Sequence, residues 1–352
     1  MNFETSDDRR MLADSLARYL ADACPIAARA ELAYAAPWHS EAAWSGLTEL
    51  GVFYALACEE AGGMGGTGFD ISIVFEQLGR ALCPEPVLPM LLGLRLLAAA
   101  GRDVAPVLDG QPVAVGIGEL DAPYDLDGIE TRAQAGRLTG RKSLVYGGAG
   151  AARLLIAAWS EGKLALFEVK AEDAQVTGYG MIDGGPAAEV FLDDTPGTLV
   201  LADARGALED ALDAGALALC AEALGAMEIV QGLLVDYLKT RKQFGQPIGA
   251  FQALQHRAID LGIEIEQARS IVILAAAAEG GPEFAKRAAQ AKFLVGQIAR
   301  QVSEEAIQMH GGIGITWDYP LAHFAKRLVM IDAQLGDTDW HLERLMTALT
   351  QR

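Results

Sequence analysis

The 352-residue sequence is short of basic residues, of aromatic side chains and of cysteine. It has 28 Lys and Arg against 47 Asp and Glu, which gives a formal net charge of −19. A chain this acidic repels polyanions, which argues against nucleic acid and anionic membranes as partners. Aromatic residues make up only 7%, yet 51% of the residues are hydrophobic. That fraction is enough to build sizeable cores and excludes a disordered chain.

Cysteine occurs four times, without any Cys-X-X-Cys pair and always in apolar, helix-like surroundings: Cys24, Cys58, Cys83 and Cys220. This pattern predicts reduced core residues rather than disulfides or a zinc site. The start, MNFETSDDRRMLADSL, lacks the basic and apolar regions of a signal peptide. The longest apolar runs, such as LPMLLGLRLLAAAG, are too short or too interrupted to span a bilayer. We therefore expect a cytoplasmic protein that does not enter a membrane.

The spacing of apolar residues divides the chain into three regions. Residues 1–105 repeat apolar side chains at three- and four-residue steps, which predicts an N-terminal helical domain. Residues 106–204 carry short β-branched segments punctuated by Gly, Pro and Asp, which predicts a middle β-domain. Residues 205–352 carry long apolar helical faces, which predicts a C-terminal four-helix bundle. The predicted fold class is α+β, in the order helices, β-domain, helical bundle.

One basic segment interrupts the acidic sequence. Lys239, Arg241 and Lys242 cluster where the first long C-terminal helix is predicted to end, and Phe244 and Gln252 follow. Cations stabilise a helix C-terminus through the helix dipole, which is the simpler interpretation. A turn with an arginine, an aromatic ring and amides can also bind a pyrophosphate and stack an adenine. Both interpretations are open on the residues alone.

A second segment, EEAIQMHGGIGI at 304–315, ends a predicted helix in glycines. A glycine pair directly after a helix is most often a C-cap. It is not a dinucleotide-binding fingerprint, because no strand precedes it. Bare backbone at this place would still let a ligand approach closely. His310 by itself is more typical of a packed histidine than of a base.

Together, RKQFGQPIGAFQALQ and QMHGGIGI resemble the flavin-binding C-terminal domain of the acyl-CoA dehydrogenase family. The stretch WSGLTELGVFYALACEEAGGMGGTGFDISIVFEQLGRA resembles the helix, glycine turn and helix of the family's N-terminal region, so the resemblance covers about residues 7–349. It implies FAD between the β-domain and the bundle of one subunit, with the adenosine pyrophosphate end on a neighbouring subunit's bundle. Carried over by position, the implied adenine-side residues are Arg241, Phe244, Gln252, Gln308, Met309, His310, Gly311 and Gly312.

The resemblance also implies a reaction, the α,β-desaturation of an acyl-CoA thioester. In this family a carboxylate base removes the α-proton and the β-hydrogen passes as hydride to the flavin, with electron-transferring flavoprotein as the expected acceptor. One family position for the base falls on Asp337 when aligned backwards from Arg344, and on Leu335 when aligned forwards from Pro320. The other family position falls on Gly215, which has no side chain. Asp337 is therefore the candidate base, and capping of the last helix is the open alternative for it.

The β-domain departs from the family pattern on the side of the flavin ring. Leu144 stands where the family has Trp, and Tyr146 where it has Thr. The adenine-side features, which act on a neighbour's FAD, are kept, whereas the ring-side and base features are altered. This asymmetry resembles the smaller subunit of heteromeric (α2β2) bacterial acyl-CoA dehydrogenases, which occur in steroid side-chain and dicarboxylyl-CoA degradation. It implies a homologous dehydrogenase subunit as the partner.

Three other functions fit the same residues. The chain would be self-sufficient as a homotetrameric acyl-CoA dehydrogenase if Asp337 were the base. It would be a non-catalytic interaction protein if the scaffold were kept without flavin. A nitroalkane- or sulfur-oxidising flavoenzyme on the same fold is the remaining alternative.

Overall fold

The computed structural model describes residues 6–32 and 35–350. Helices come first along the chain, then a sheet, then longer helices, which confirms the predicted α+β order. The N-terminal helices are α1 (Asp7–Ala23), α2 (Ile26–Leu32), α3 (Glu41–Glu49), α4 (Val52–Ala55), α5 (Gly68–Ala81), α6 (Val87–Ala99) and α7 (Ala105–Leu108). The main strands are β1 (Val113–Gly116), β2 (Arg132–Gln134), β3 (Arg137–Tyr146), β4 (Arg153–Ser160), β5 (Lys163–Lys170), β6 (Gln175–Gly180), β7 (Pro186–Pro196) and β8 (Thr198–Leu201).

The C-terminal part contains the longest helices and one short hairpin. The helices are α8 (Arg205–Thr240), α9 (Gln252–Ala278), α10 (Phe284–His310), α11 (Pro320–Ala333) and α12 (Thr338–Thr350). The hairpin between α8 and α9 consists of β9 (Lys242–Gln243) and β10 (Gln246–Pro247). Turns of 3-10 helix lie at Glu59–Ala61, Ala171–Asp173, Ile248–Ala250 and Gly311–Ile315. Gly311 follows α10 with a φ of 69°, so the glycine pair ends this helix as predicted.

The described residues form two compact units that do not follow the chain order. The first unit takes the described residues up to Ile26, the segment Ile71–Cys83 and the residues from Ala216 onward. The second takes the rest, from Ala27 to Asp70 and from Pro84 to Gly215. The three-domain boundaries at residues 105 and 204 stay a prediction.

Helix α5 joins the first unit through its close contact with α8. A Cβ atom added at Gly79 would overlap the carbonyl oxygen of Glu222, and one added at Gly225 would overlap that of Glu76. The two glycines therefore let the backbones of α5 and α8 touch. Arg80 adds a charged link between the same helices, since its Nε donates to Glu228 at 2.8 Å.

Helix α8 corrects one expectation, that no segment is long and apolar enough to span a bilayer. By length and composition, Arg205–Thr240 meets that test, and it is the one helix among the described residues that does. However, 67% of its most apolar 18-residue window is buried inside the protein. Its apolar character is accounted for by core packing, since alanine and leucine fill the centre of the helix. The sequence reasoning missed it because charged residues interrupt the run.

The second unit is organised around one mixed sheet. The strand order is β6-β7-β3-β2-β4-β5-β8, with β1 paired in parallel to β4. A buried ion pair fixes the segment before β2 onto this sheet, because Lys142 of β3 donates to Glu119 at 2.6 Å. Glu119 also accepts the Thr131 hydroxyl at 2.6 Å and the N–H groups of Glu130 and Thr131. Burial opposes ionisation, but Lys142 and these donors outweigh it and lower the pKa of Glu119.

Glu85 is a buried acid directly before α6. One carboxyl oxygen accepts the N–H of Ser40 at 2.9 Å, and the other has no hydrogen-bond partner among the described residues. Burial raises the pKa of Glu85 to about 7, and the Ser40 N–H only partly opposes the shift. The folded chain therefore holds this proton at a pH where the unfolded chain has released it.

We expect the free energy of unfolding to fall as the pH rises from 4.5 to about 7, because only the folded state keeps Glu85 protonated there. Glu85→Gln is neutral at every pH, so the variant should lose this part of the pH dependence. At pH 8 it should be more stable than the wild type by about 2–3 kcal/mol. Urea unfolding followed by circular dichroism from pH 5 to 8 measures both effects, with exposed Glu60→Gln as the matched control. Equal pH slopes in the Glu85→Gln variant and the wild type would contradict the assignment.

Candidate functional site

The basic segment after α8 forms a hairpin that displays an aromatic ring. Phe244 and Gly245 make the two-residue turn between β9 and β10, with φ values of 52° and 80°. Positive φ at both positions is typical of the type I′ hairpin turn, which normally favours Asn and Gly. A bulky side chain in this backbone region carries strain of about 1 kcal/mol or more. Phe244 nevertheless lies there with 91% of its surface exposed, so packing within this chain does not explain it.

The hairpin also presents positive charge. Lys239, Arg241 and Lys242 are exposed, and none of the three has an ion-pair partner in the described part of the chain. The backbone of Arg241 is fixed, because its N–H donates to the Tyr237 carbonyl and its own carbonyl accepts the Ile248 N–H, both at 2.8 Å. An anchored backbone with an unpaired guanidinium fits the recognition of a phosphate group.

The start of α9 braces the hairpin. The ring of Phe251 meets the ring of Phe244 edge to face, with centroids 6.1 Å apart. The side chain of Gln255 donates to the Gly249 carbonyl at 2.8 Å and ties the helix to the preceding turn. Gln252, which was predicted to contact the cofactor, is exposed in the first turn of α9. Its amide is therefore available to a ligand from outside the chain.

The end of α10 meets the end of α8 through a stacked pair of rings. His310 lies 4.5 Å from Tyr237 at an angle of 25°, and 5.3 Å from Tyr319. Its Nδ1–H donates to the Ala306 carbonyl at 2.8 Å. Burial lowers the pKa of His310, although the carbonyls of Ala306 and Leu233 oppose the shift. His310 is thus a packed, uncharged histidine that joins the two predicted segments at one end of the first unit.

The other residues predicted at the end of α10 differ in exposure. Gln308 and both glycines are exposed, whereas the side chain of Met309 is buried. A Cβ atom added at Gly312 would meet no described atom within 4 Å other than those of its two neighbours in the chain. Internal packing therefore does not require glycine at 312, and a surface open to close approach remains there. Gln308 and the backbone of Gly311 and Gly312 can contact a ligand, while Met309 and His310 support them from inside.

Asp337 is the N-cap of the last helix. Its Oδ1 accepts the N–H of Trp340 at 2.8 Å, and its carbonyl accepts the N–H of His341 at 3.0 Å. These are the bonds by which an aspartate satisfies the first turn of a helix. The carboxylate is therefore committed to α12, as the alternative interpretation of Asp337 predicted.

The turn before Asp337 is strained and held in place from several sides. Leu335 has a φ of 55° and Gly336 one of 98°. The buried ammonium of Lys292 donates to the carbonyls of Asp332 at 2.8 Å and Gly336 at 2.7 Å. His341 donates from Nε2 to the Leu335 carbonyl at 3.1 Å. Three hydrogen bonds to backbone carbonyls therefore fix the one turn in which both alignments placed the base.

Lys292 and His341 hold this turn, and neither was predicted from the sequence as a residue of the site. Burial lowers the pKa of Lys292 to about 8, although the charges of Cys220 and Asp332 oppose this. Burial and the neighbouring Lys292 charge lower the pKa of His341 to about 3. The position of Lys292 was a usable signal, because it falls on the same face of α10 as Ala288 and Val295 and is buried with them.

Two further positions concern the second unit. Gly215 in α8 is buried and has no side chain, so the second family position for a base is empty here. Asp213, one half-turn earlier, is a buried acid that the sequence analysis did not consider. In β3, Leu144 lies at a bulge with a φ of 52° and is 43% exposed, and Tyr146 follows half-buried. The bulge thus displays an apolar side chain where the resemblance expects contact with the flavin ring.

A separate apolar groove of about 920 Å³ runs along the outer side of α8 and α9. Its wall includes Ile259 and Ile263, which are 61% and 55% exposed. The other lining residues are Gln231, Val235, Ala258, Gly262, Glu266, Gln267, Ser270, Ile271, Leu274 and Leu294. Large apolar side chains exposed side by side on a helix are typical of an interaction surface.

Comparison with protein families gives two matches. The model described as "Acyl-CoA dehydrogenase, N-terminal domain" matches residues 6–103. The model described as "Acyl-CoA dehydrogenase, C-terminal domain" matches residues 205–350, which include the hairpin, the end of α10 and the turn before α12.

Individual proteins and structures agree with these matches. Acyl-CoA dehydrogenase IpdE2 of Mycobacterium tuberculosis is 32% identical over 327 residues, 91% of each chain. The 3-sulfinopropanoyl-CoA desulfinase of Paraburkholderia xenovorans is 31% identical over 361 residues, 92% of this chain and 91% of the relative. The solved structure of a Tcur3481-Tcur3483 steroid ACAD variant superposes with a TM-score of 0.89 and 28% identity over 98% of both chains.

Proposed function

Because the chain belongs to the acyl-CoA dehydrogenase family, we propose that it is one subunit of a heteromeric FAD-dependent acyl-CoA dehydrogenase. In this proposal a homologous partner chain carries the catalytic base, and the two chains share flavin sites. The observation that carries the proposal is the bonding of Asp337, whose carboxylate caps α12 by accepting the Trp340 N–H. The reaction is the α,β-desaturation of an acyl-CoA thioester, for which FAD, the cofactor of the family, supplies the hydride acceptor when bound.

The residues of this chain fit the adenine side of FAD. Arg241 offers an unpaired guanidinium for the pyrophosphate, and Phe244 offers an exposed ring for stacking. Gln252 and Gln308 offer exposed amides. Gly312 offers exposed backbone that a ligand can approach closely, and packing within the described chain does not require a glycine there. Buried Met309 and His310 hold the end of α10, and Gly311 ends it. We infer that these eight residues form a surface for the adenosine pyrophosphate of FAD bound in the partner.

The base is the function that this chain does not supply in our proposal. A carboxylate that accepts a proton during catalysis must reach the substrate. The Asp337 carboxylate is instead fixed to the first turn of α12, and the side chain at the forward-aligned position is that of Leu335. Gly215, at the other family position for the base, has only a hydrogen atom as its side chain and cannot accept a proton. A partner chain with a glutamate at one of these positions completes the reaction.

The groove along α8 and α9 is the surface that we assign to the partner. It is apolar, it belongs to the same unit as the hairpin, and Ile259 and Ile263 are exposed in it. A family member whose bundle buries these isoleucines would stand beside the adenine-side surface. We further propose that the complex works in the cytoplasm and passes its electrons to an electron-transferring flavoprotein.

Assays of flavin content and turnover distinguish three alternatives. A self-sufficient homotetramer would bind and reduce its own FAD without a partner. A sulfur-directed activity is kept as the second candidate, because one relative of 31% identity is named 3-sulfinopropanoyl-CoA desulfinase. Release of sulfite from a sulfinylated acyl-CoA, without desaturation of unsubstituted acyl-CoA thioesters, would favour it. A complex without flavin would favour a non-catalytic scaffold.

Co-expression with a homologous acyl-CoA dehydrogenase chain from the same organism should give a complex that contains FAD and is bleached by an acyl-CoA, whereas the chain alone should lack stoichiometric FAD. Arg241→Ala should lower the FAD content of the complex by roughly tenfold or more, since a charge-assisted phosphate contact is lost. Phe244→Gly should weaken FAD binding about tenfold through lost stacking, while the free energy of unfolding stays within about 1 kcal/mol.

Flavin absorbance per chain measures this prediction, with Lys242→Ala as the control that removes one charge next to the site. FAD at one per chain in the protein purified alone, reduced by an acyl-CoA, would contradict the shared site. Unchanged FAD content in Arg241→Ala would contradict the residue assignment but leave the heteromeric function standing.

Asp337→Asn should leave the rate of desaturation by the complex within about twofold of the wild type, because asparagine caps a helix as well as aspartate. Asp337→Ala should lower the free energy of unfolding by about 1 kcal/mol through loss of the cap. Stopped-flow flavin reduction and urea unfolding measure the two effects. A loss of about a hundredfold in flavin reduction by Asp337→Asn, with FAD retained, would identify Asp337 as the base and the chain as self-sufficient.

Ile259→Glu combined with Ile263→Glu should abolish association with the partner while the chain stays folded. Both side chains are exposed before association, so the glutamates are solvated in the free chain and are desolvated only in an interface. Light scattering and circular dichroism separate association from folding. Met11→Glu, which changes an exposed apolar residue of α1, is the control and should leave the complex intact. Full assembly of the double variant would exclude the groove as the interface.

A further inference from the structure

Two of the four cysteines lie side by side in the first unit. The sulfur atoms of Cys24 and Cys83 are 3.7 Å apart, although 59 positions separate the residues in the sequence. Cys24 is the C-cap of α1, and its N–H donates to the Leu20 carbonyl at 3.0 Å. Cys83 comes just after α5, and its N–H donates to the Leu78 carbonyl at 3.0 Å. The ends of two helices are thus brought together at a pair of thiols.

Cys220 differs from the pair in accessibility, and Cys58, which is also half-buried, differs from it in position. The side chains of Cys24 and Cys83 are half-buried, so small molecules from solvent can reach them. Cys220 is completely buried in α8, and burial raises the pKa of its thiol to about 12. Cys58 belongs to the second unit. An intramolecular disulfide in the folded chain would therefore join Cys24 to Cys83, whose sulfur atoms are the ones in contact.

The local backbone allows the sulfurs to close the remaining gap. A disulfide needs an S–S distance of about 2.05 Å. Rotation of the two cysteine side chains can bring the sulfur atoms that close. Each cysteine lies outside the regular turns of its helix and is followed by a proline, Pro25 or Pro84. Movement of either side chain breaks no interior helical hydrogen bond.

We propose that Cys24 and Cys83 form a redox-active dithiol that a low-molecular-weight disulfide converts into an intramolecular disulfide. In the first step the thiolate of one cysteine attacks a sulfur of the small disulfide, which forms a mixed disulfide and releases one small thiolate. In the second step the thiolate of the other cysteine attacks the mixed disulfide and releases the second small thiolate. The two cysteines lose two electrons and two protons, and the small disulfide is reduced to two thiols.

The bond would tie the C-terminal end of α1 to the residues that follow α5. Leu16 and Leu20 are the residues of α1 that are buried, and its remaining described side chains are exposed or half-buried. A covalent link at the C-terminal end would fasten this helix to the unit that also carries the hairpin and the groove. The proposal does not depend on the function assigned above.

The test is oxidation of the complete chain with oxidised glutathione, followed by alkylation of remaining thiols and mass spectrometry of proteolytic peptides. We expect one peptide pair joined through Cys24 and Cys83, with Cys58 and Cys220 alkylated after unfolding. The oxidised chain should melt roughly 5 °C above the reduced chain. Cys24→Ser and Cys83→Ser should each abolish the shift, whereas Cys58→Ser should retain it.

Two results would overturn the proposal. One is recovery of both Cys24 and Cys83 in alkylated form after oxidation of the folded wild type. The other is a stable glutathione adduct on either residue, because the neighbouring thiol would then have failed to resolve it. Should one serine variant fold poorly, the peptide analysis of the wild type still decides between these outcomes and the expected cross-link.

Discussion

The buried ammonium of Lys292 constrains the part of the molecule on which the functional conclusion depends. Taking a lysine out of water is costly unless its hydrogens find acceptors, and here the carbonyls of Asp332 and Gly336 accept them. These two bonds fix both ends of the turn before α12. The conformation of this turn places Asp337 one residue before α12, where its carboxylate accepts a hydrogen bond from the N–H of Trp340. The role of Asp337 as a cap thus follows from a lysine on a different helix.

The backbone of the hairpin is strained at Phe244, whose side chain faces solvent instead of the protein interior. Holding Phe244 at positive φ with its ring in solvent costs free energy in the isolated chain on two counts. The edge-to-face contact with Phe251 leaves 91% of Phe244 exposed and recovers only part of that cost. Features that destabilise a free chain are expected where binding recovers the loss. The local cation also resolves the apparent conflict between a net charge of −19 and a phosphate-bearing cofactor, because the attraction is confined to one segment.

The structural features that depend on residues close together in the sequence were predicted well. The 3.6-residue period and the glycine stops located α8, α9 and the end of α10, since such signals are local. Alternation and turn residues located the sheet but not its strand order, which depends on long-range pairing. The placement of α5 beside α8 also escaped prediction, because it rests on Gly79 and Gly225 meeting across a long separation in sequence. A glycine inside a helix usually only lowers helix stability. The packing role of Gly79 becomes visible only when its contact with Glu222 of α8 is known.

The candidate site shows the same limit at the level of single residues. Two alignments placed the base at Asp337 or Leu335, and sequence could not choose because both lie within one turn. The choice is made by Lys292 and His341, which reach that turn from α10 and α12. In our proposal, a chain that offers a surface to a neighbour's cofactor and uses its own candidate base as a helix cap completes another subunit. If the partner supplies the base, as we propose, the φ of 55° at Leu335 is under no catalytic constraint in this chain. The proposed division of labour between unlike chains then rests on how Lys292 and His341 hold this one turn.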